Sequence, residues 1–170
     1  DNLPQIEQET GVKLRFLAGL WRHSDQEWNL DDTDRLITIA KSPYIVGCDF
    51  MGHETNSTDA FMEELQMLAQ YAMKEDPYFT IRVHAGENPM FKDNVKKALE
   101  IIYNEHQSYE AKTETKQPMP RVRIGHGLYG VDEQVLDIAK KMEAIIEFNM
   151  SSNVALNNIN SITEIPIKNI

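Results

Sequence analysis

A single cysteine, Cys48, stands among the 170 residues. One thiol excludes an intrachain disulfide and is compatible with a reducing compartment, without fixing the compartment. No apolar run approaches the roughly 20 residues that a membrane span needs, so no membrane partner is expected. Positive charge is scarce: 17 Lys and Arg face 27 Asp and Glu, for a formal net charge of -10. That balance disfavours binding to a phosphate backbone, and nucleic acid is not expected as a partner. Low-complexity tracts are missing, as is any short-period repeat beyond an alternation of strands and helices. The chain opens Asp1-Asn2-Leu3 with no signal-like segment, as a trimmed fragment would.

What is present is enough for one domain with a substantial core: 41% of residues are hydrophobic and 26% charged. Five segments read as buried strands: 12–20, 44–50, 78–83, 121–124 and 144–148. Helical periodicity fills the gaps. The spacing predicts a short helix over 33–41. A longer one, over 59–73, has Phe61, Leu65, Leu68, Ala69 and Ala72 on one stripe. Two more are predicted over 94–104 and 132–142. The polar stretch 107–120, with two prolines near its end, reads as a surface loop or insertion. Strand and helix alternate along the whole length, which implies an α/β fold with parallel strands and helical crossovers.

In such folds the chemistry sits at the C-terminal ends of the strands. The residues just beyond the five predicted strands are Trp21-Arg22-His23, Met51-Gly52-His53-Glu54, His84-Ala85-Gly86-Glu87, Gly125-His126-Gly127 and Asn149-Met150-Ser151-Ser152-Asn153. Four of the five histidines thus fall at one end of the sheet, and only His106 lies elsewhere, on a helix tail. His84 and Glu87 arrive on one sharp turn. A neutral imidazole can hold a metal ion, and a nearby carboxylate can move a proton, which is the combination a water-activating hydrolase needs. Ser151 and Ser152 lack any base-and-orienter pattern, so turn bonding or capping suits them better than nucleophilic catalysis.

His84-Ala85-Gly86-Glu87 together with the downstream Arg123-Ile124-Gly125-His126-Gly127 resembles the paired signatures of the adenosine deaminase family. The segment Val46 to Glu54 resembles that family's preceding strand, and Ser151-Ser152-Asn153 its later serine-rich turn. The resemblance implies a (β/α)8 TIM barrel with one zinc ion and a purine nucleoside substrate. It further implies that His84 is a zinc ligand. Glu87 would be the acid/base that protonates the purine ring nitrogen. His126 would orient the attacking water and help take up its proton, and Gly52 would offer its backbone to the purine ring.

Two departures accompany the match. The family's His-x-His pair has no counterpart in this sequence. Its late Asp-Asp pair has none either, because the one Asp-Asp here, Asp31-Asp32, comes early and reads as charge at a helix start. By motif order residues 1–170 correspond to the third through seventh strands, a single incomplete barrel domain. Zinc takes about four ligands. The expectation is therefore that this chain alone binds zinc weakly or not at all and is inactive, while a complete enzyme has both properties. An open five-strand arc also exposes two edges, so association through those edges is expected. The alternatives are another mononuclear metal-dependent amidohydrolase and a non-catalytic half-barrel that acts through protein contacts. A nucleotide deaminase would need a basic cluster for the phosphate, and these loops have none.

Overall fold

A computed structural model describes residues 2–22, 26–156, 158–165 and 167. Its centre is a five-stranded sheet, all parallel, with strands in sequential order. Helix α1 (Leu3–Thr10) precedes β1 (Phe16–Trp21), and α2 (Gln26–Ile39) leads to β2 (Ile45–Met51). A single 3-10 turn runs into α3 (Met62–Lys74), and β3 (Thr80–Ala85) and α4 (Asn94–Thr113) come after it. Then come β4 (Arg121–His126), α5 (Glu133–Met142), β5 (Ile145–Glu147) and α6 (Met150–Ala155). Neighbouring strands are always consecutive in sequence, and each crossover is helical. This is the winding of a TIM barrel, here an open arc of five strands.

Alternation along the strands explains where the core sits. In β3, Ile81, Val83 and Ala85 are fully buried, whereas Thr80, Arg82 and His84 are only partly so. The apolar set faces α3 and α4 and packs on Leu65, Leu68, Ala69, Val95, Leu99 and Ile102. The other set lines the concave face of the arc. Cys48 and Phe50 of β2 belong to the packed side, where Phe50 meets Phe61 at a centroid distance of 4.9 Å. Burial pushes the Cys48 thiol up to about 12, so this lone cysteine is a small core hydrophobe and not a nucleophile.

Several sequence expectations shift in the folded chain. Residues 12–15 lie outside the first strand, which starts at Phe16. The helix expected over 33–41 begins at Gln26, so Asp31-Asp32 sit inside it and not at its start. The largest correction concerns 107–120. Helix α4 continues to Thr113, and only the stretch beyond it is a loop. Polar residues hold that extension on both flanks. Lys74 lies over the Tyr109 ring at 5.1 Å, and Glu110 accepts from the Gln117 backbone at 2.8 Å. His106 is buried within this helix, not on its tail, with Nε2 3.0 Å from the Gln117 carbonyl. Asp132 caps α5 by accepting from Val135 N at 2.9 Å.

Candidate functional site

The mouth of the arc is built around the turn that ends β3. Gly86 has φ +77, and a Cβ there would stand 2.6 Å from the Tyr129 carbonyl oxygen and 2.8 Å from Val95. Both the dihedral and the space demand glycine. The turn is laced to its surroundings almost group by group. The Arg22 guanidinium donates to the His84 carbonyl. Gly127 N donates to the Ala85 carbonyl at 3.0 Å, and Tyr129 N to the Gly86 carbonyl at 2.9 Å. Glu54, 2% exposed, receives the N–H groups of Gly86, Glu87 and Asn88 at 3.0, 2.8 and 2.7 Å.

His84 points to the concave face. Its Nδ1 lies 2.9 Å from Asp49 Oδ1 on the neighbouring strand. Arg82, two residues before it on the same face, donates to Asp49 at 2.6 Å and to Glu147 of β5 at 2.8 Å. The Arg123 guanidinium also pairs with Glu147. Gly125 makes room for this arrangement, because a Cβ there would stand 3.0 Å from the Arg82 guanidinium. Burial works against the Asp49 charge, but contact with His84 and the Arg82 charge outweigh it and hold the carboxyl below the usual range. Burial likewise opposes the Arg82 charge, and Glu147 and Asp49 reverse that, so the guanidinium lies above its ordinary value.

His126 arrives from β4 in an unusual backbone state. Its φ is +74, in the left-handed region that β-strand ends seldom enter with a side chain. It is 4% exposed, and its Nδ1 lies 2.8 Å from Asn153 Oδ1, itself on a fully buried side chain of α6. An amide oxygen can only accept. The ring therefore carries its proton on Nδ1 and presents Nε2 to the mouth. There Nε2 is 3.7 Å from Glu87 Oε1, and the His126 and His84 rings are 5.2 Å apart at a 54° tilt. Asn158 Nδ2 approaches the same Glu87 oxygen at 3.4 Å.

Three of the four residues singled out from sequence, His84, Glu87 and His126, thus converge. Gly52 stands beside them through Arg22: a Cβ on it would be 3.4 Å from Arg22 N and 3.3 Å from Trp21. Its φ of +116 requires glycine regardless of any substrate. His53 is exposed in the loop after β2, and His23 lies outside the described residues. Sequence reasoning passed over Asp49, Glu54, Arg82, Glu147 and Asn153 as functional residues. A signal was there for two of them: Asp49 and Arg82 are charged residues at inward positions of otherwise apolar parallel strands. A groove of about 830 Å3 lies at the opposite end of the sheet, lined by Tyr78, Arg121, Met142 and Ile145. Its described lining holds no pairing of carboxylate and imidazole.

Metal fit can be judged from the donors. Among the described residues no group of three or more His, Cys, Asp and Glu side chains is placed to hold an ion. His84 and Asp49 are two donors engaged with each other. Zinc sites take three or four protein ligands, so the described residues alone do not fit the metal.

A parallel βα arc with two imidazoles and a carboxylate gathered at its C-terminal mouth defines the chain as a TIM-barrel-type α/β protein with a candidate acid–base site. The adenosine deaminase family model matches residues 1–170, and the chain belongs to that family. No curated protein matches it.

Proposed function

We propose that this chain carries the proton-handling side of a hydrolytic adenosine deaminase, converting adenosine to inosine with release of ammonia. The observation that carries the reading is the 3.7 Å approach of His126 Nε2 to Glu87 Oε1, beside His84, in a member of the adenosine deaminase family. That separation exceeds a direct hydrogen bond and suits two groups that serve a third between them.

In this reading Glu87 delivers a proton to the purine ring nitrogen as water adds to the adjacent carbon. His126, which presents Nε2 to the mouth, takes the proton that the water loses. The tetrahedral carbon then collapses: its bond to the amino nitrogen breaks, His126 returns its proton to that nitrogen so that ammonia leaves, and the proton of the added hydroxyl passes to Glu87 as the carbonyl forms. Asn153 holds His126 in the required tautomer, much as a carboxylate orients a catalytic histidine elsewhere. Gly52 offers backbone to the purine face. His84 would offer one imidazole to a zinc ion, which would supply a Lewis acid for the water, and tight binding would need donors beyond the described residues.

Two experiments test this. The first follows loss of adenosine absorbance in the ultraviolet by the zinc-replete, full-length protein, with Glu87→Gln as the comparison. Turnover should fall by about 10²–10⁴-fold in the variant, and wild-type activity retained in it would remove Glu87 from the proton-transfer role. The second is a calorimetric titration of zinc into residues 1–170. Weak or absent binding is expected, and tight one-to-one binding would show that this chain closes the metal site by itself.

A further inference from the structure

Three consecutive backbone N–H groups converge on one point at the end of β3. Those of Gly86, Glu87 and Asn88 all donate to the Glu54 carboxylate, the first to Oε1 and the other two to Oε2. Successive amides around a left-handed residue form a concave nest for an anion, the device that proteins use for phosphate groups. Here the anion is the chain's own. A fourth donor, Asn94 Nδ2, reaches Oε1 at 2.8 Å, so each oxygen accepts two hydrogen bonds. The clamp extends outward. Asn88 Nδ2 donates to the Glu54 carbonyl at 2.9 Å, and Asn94 also donates to the Asn56 carbonyl and accepts from Thr58 N.

Two glutamates therefore compete for one set of donors, and the fold decides between them. A carboxylate beside unpaired backbone N–H groups can fold back and accept from them, as Asp does in turns and Glu in a capping box. Glu87 cannot do so, because those N–H groups are taken. Its carboxylate is left facing His126 and Asn158. We infer that Glu54 is the positioning residue of the proton-transfer turn: by filling the nest it denies Glu87 a structural role and leaves its carboxylate free for substrate. The inference rests on the deaminase reading for what Glu87 then does, but not for the geometry.

The test uses Glu54→Gln. The amide keeps the shape of the side chain but turns an NH2 group toward two of the four donors, so at least half the clamp is lost. Hydrogen exchange of the Gly86, Glu87 and Asn88 amides should speed up by about tenfold or more, with Ile81 and Val83 unchanged. In the zinc-replete, full-length protein, kcat for adenosine should fall by about 10²-fold while KM moves by less than about threefold. In a Glu87→Gln background the same substitution should cost nothing further, because it acts through Glu87. Unchanged exchange at the three amides overturns the inference, and so do losses that multiply across the double variant. Should Glu54→Gln fail to fold, Glu54→Asp keeps the charge one methylene short and should show the same changes in smaller measure. Absence of adenosine turnover in every form, wild type included, would defeat the deaminase reading, and the exchange result would still decide whether Glu54 holds the nest.

Discussion

Asn153 Oδ1 and His126 Nδ1 are 2.8 Å apart across two elements, with both side chains shut off from solvent. This contact sets which nitrogen of His126 faces the mouth. Replacing Asn153 with Ala leaves a buried ring nitrogen unserved and lets the imidazole rotate. The expected result is a loss of about 1–3 kcal/mol in stability, read by urea unfolding. On the proposed function, adenosine turnover should fall together with it. A variant that keeps wild-type stability and activity would show that the Asn153 contact does not orient the ring.

Gly86 tests the turn itself. Its φ of +77 disfavours any side chain, and the Tyr129 carbonyl at 2.6 Å is backbone that cannot swing aside. Gly86→Ala should destabilise by about 1–3 kcal/mol, measured as a lower urea midpoint with an unchanged slope. The comparison is Gly11→Ala. Gly11 also has a positive φ, +71, but no described residue lies within 4 Å of a Cβ there, so that change should cost less.

Arg82 spans three strands by pairing with Asp49 on one side and Glu147 on the other, all with side chains less than one-fifth exposed. Arg82→Met removes the shared cation, leaving two largely buried carboxylates with only their remaining partners, Asp49 with His84 and Glu147 with Arg123. Breaking a buried pair from one side costs about 3–5 kcal/mol. Chemical denaturation should show a loss of that order, and a change of Asp49 to Asn in the same chain should recover part of it.

Glu64 supplies a pH dependence. It is fully buried on α3, and neither carboxyl oxygen has a hydrogen-bond partner among the described residues. Burial pushes its carboxyl above the usual range, and neighbouring Glu63 adds to the effect. The native state therefore holds this proton more tightly than the unfolded chain does. Its contribution to stability is fully present below the unfolded value, near pH ~4.3, and is lost as pH rises through the folded value. Glu64→Met should raise stability at neutral pH by about 1–3 kcal/mol. The gain should shrink as the pH is lowered into the acid range. Thermal melts of both proteins across that range would show it, and a gain independent of pH would contradict the assignment.

Much of the scaffold was legible before any coordinates. Apolar runs of strand length separated by helical periodicity led to five parallel strands with helical crossovers, because those patterns depend on local burial. The end of α4 was not legible. Residues 107–113 are polar, and their helicity depends on Lys74, on the returning Gln117 and on burial of His106. These contacts come from other parts of the chain, and no local pattern announces them.

The site divides the same way. The order of residues alone put an imidazole and a carboxylate on one turn and a second imidazole between glycines downstream, since those are short-range facts of spacing. Their surroundings were decided by the tertiary fold. Glu54 reaches Gly86 across 32 positions, Asn153 reaches His126 across 27, and Glu147 reaches Arg82 across 65. Hydrogen bonds act over about 3 Å, and only parallel strands closing side by side bring such distant residues within that reach.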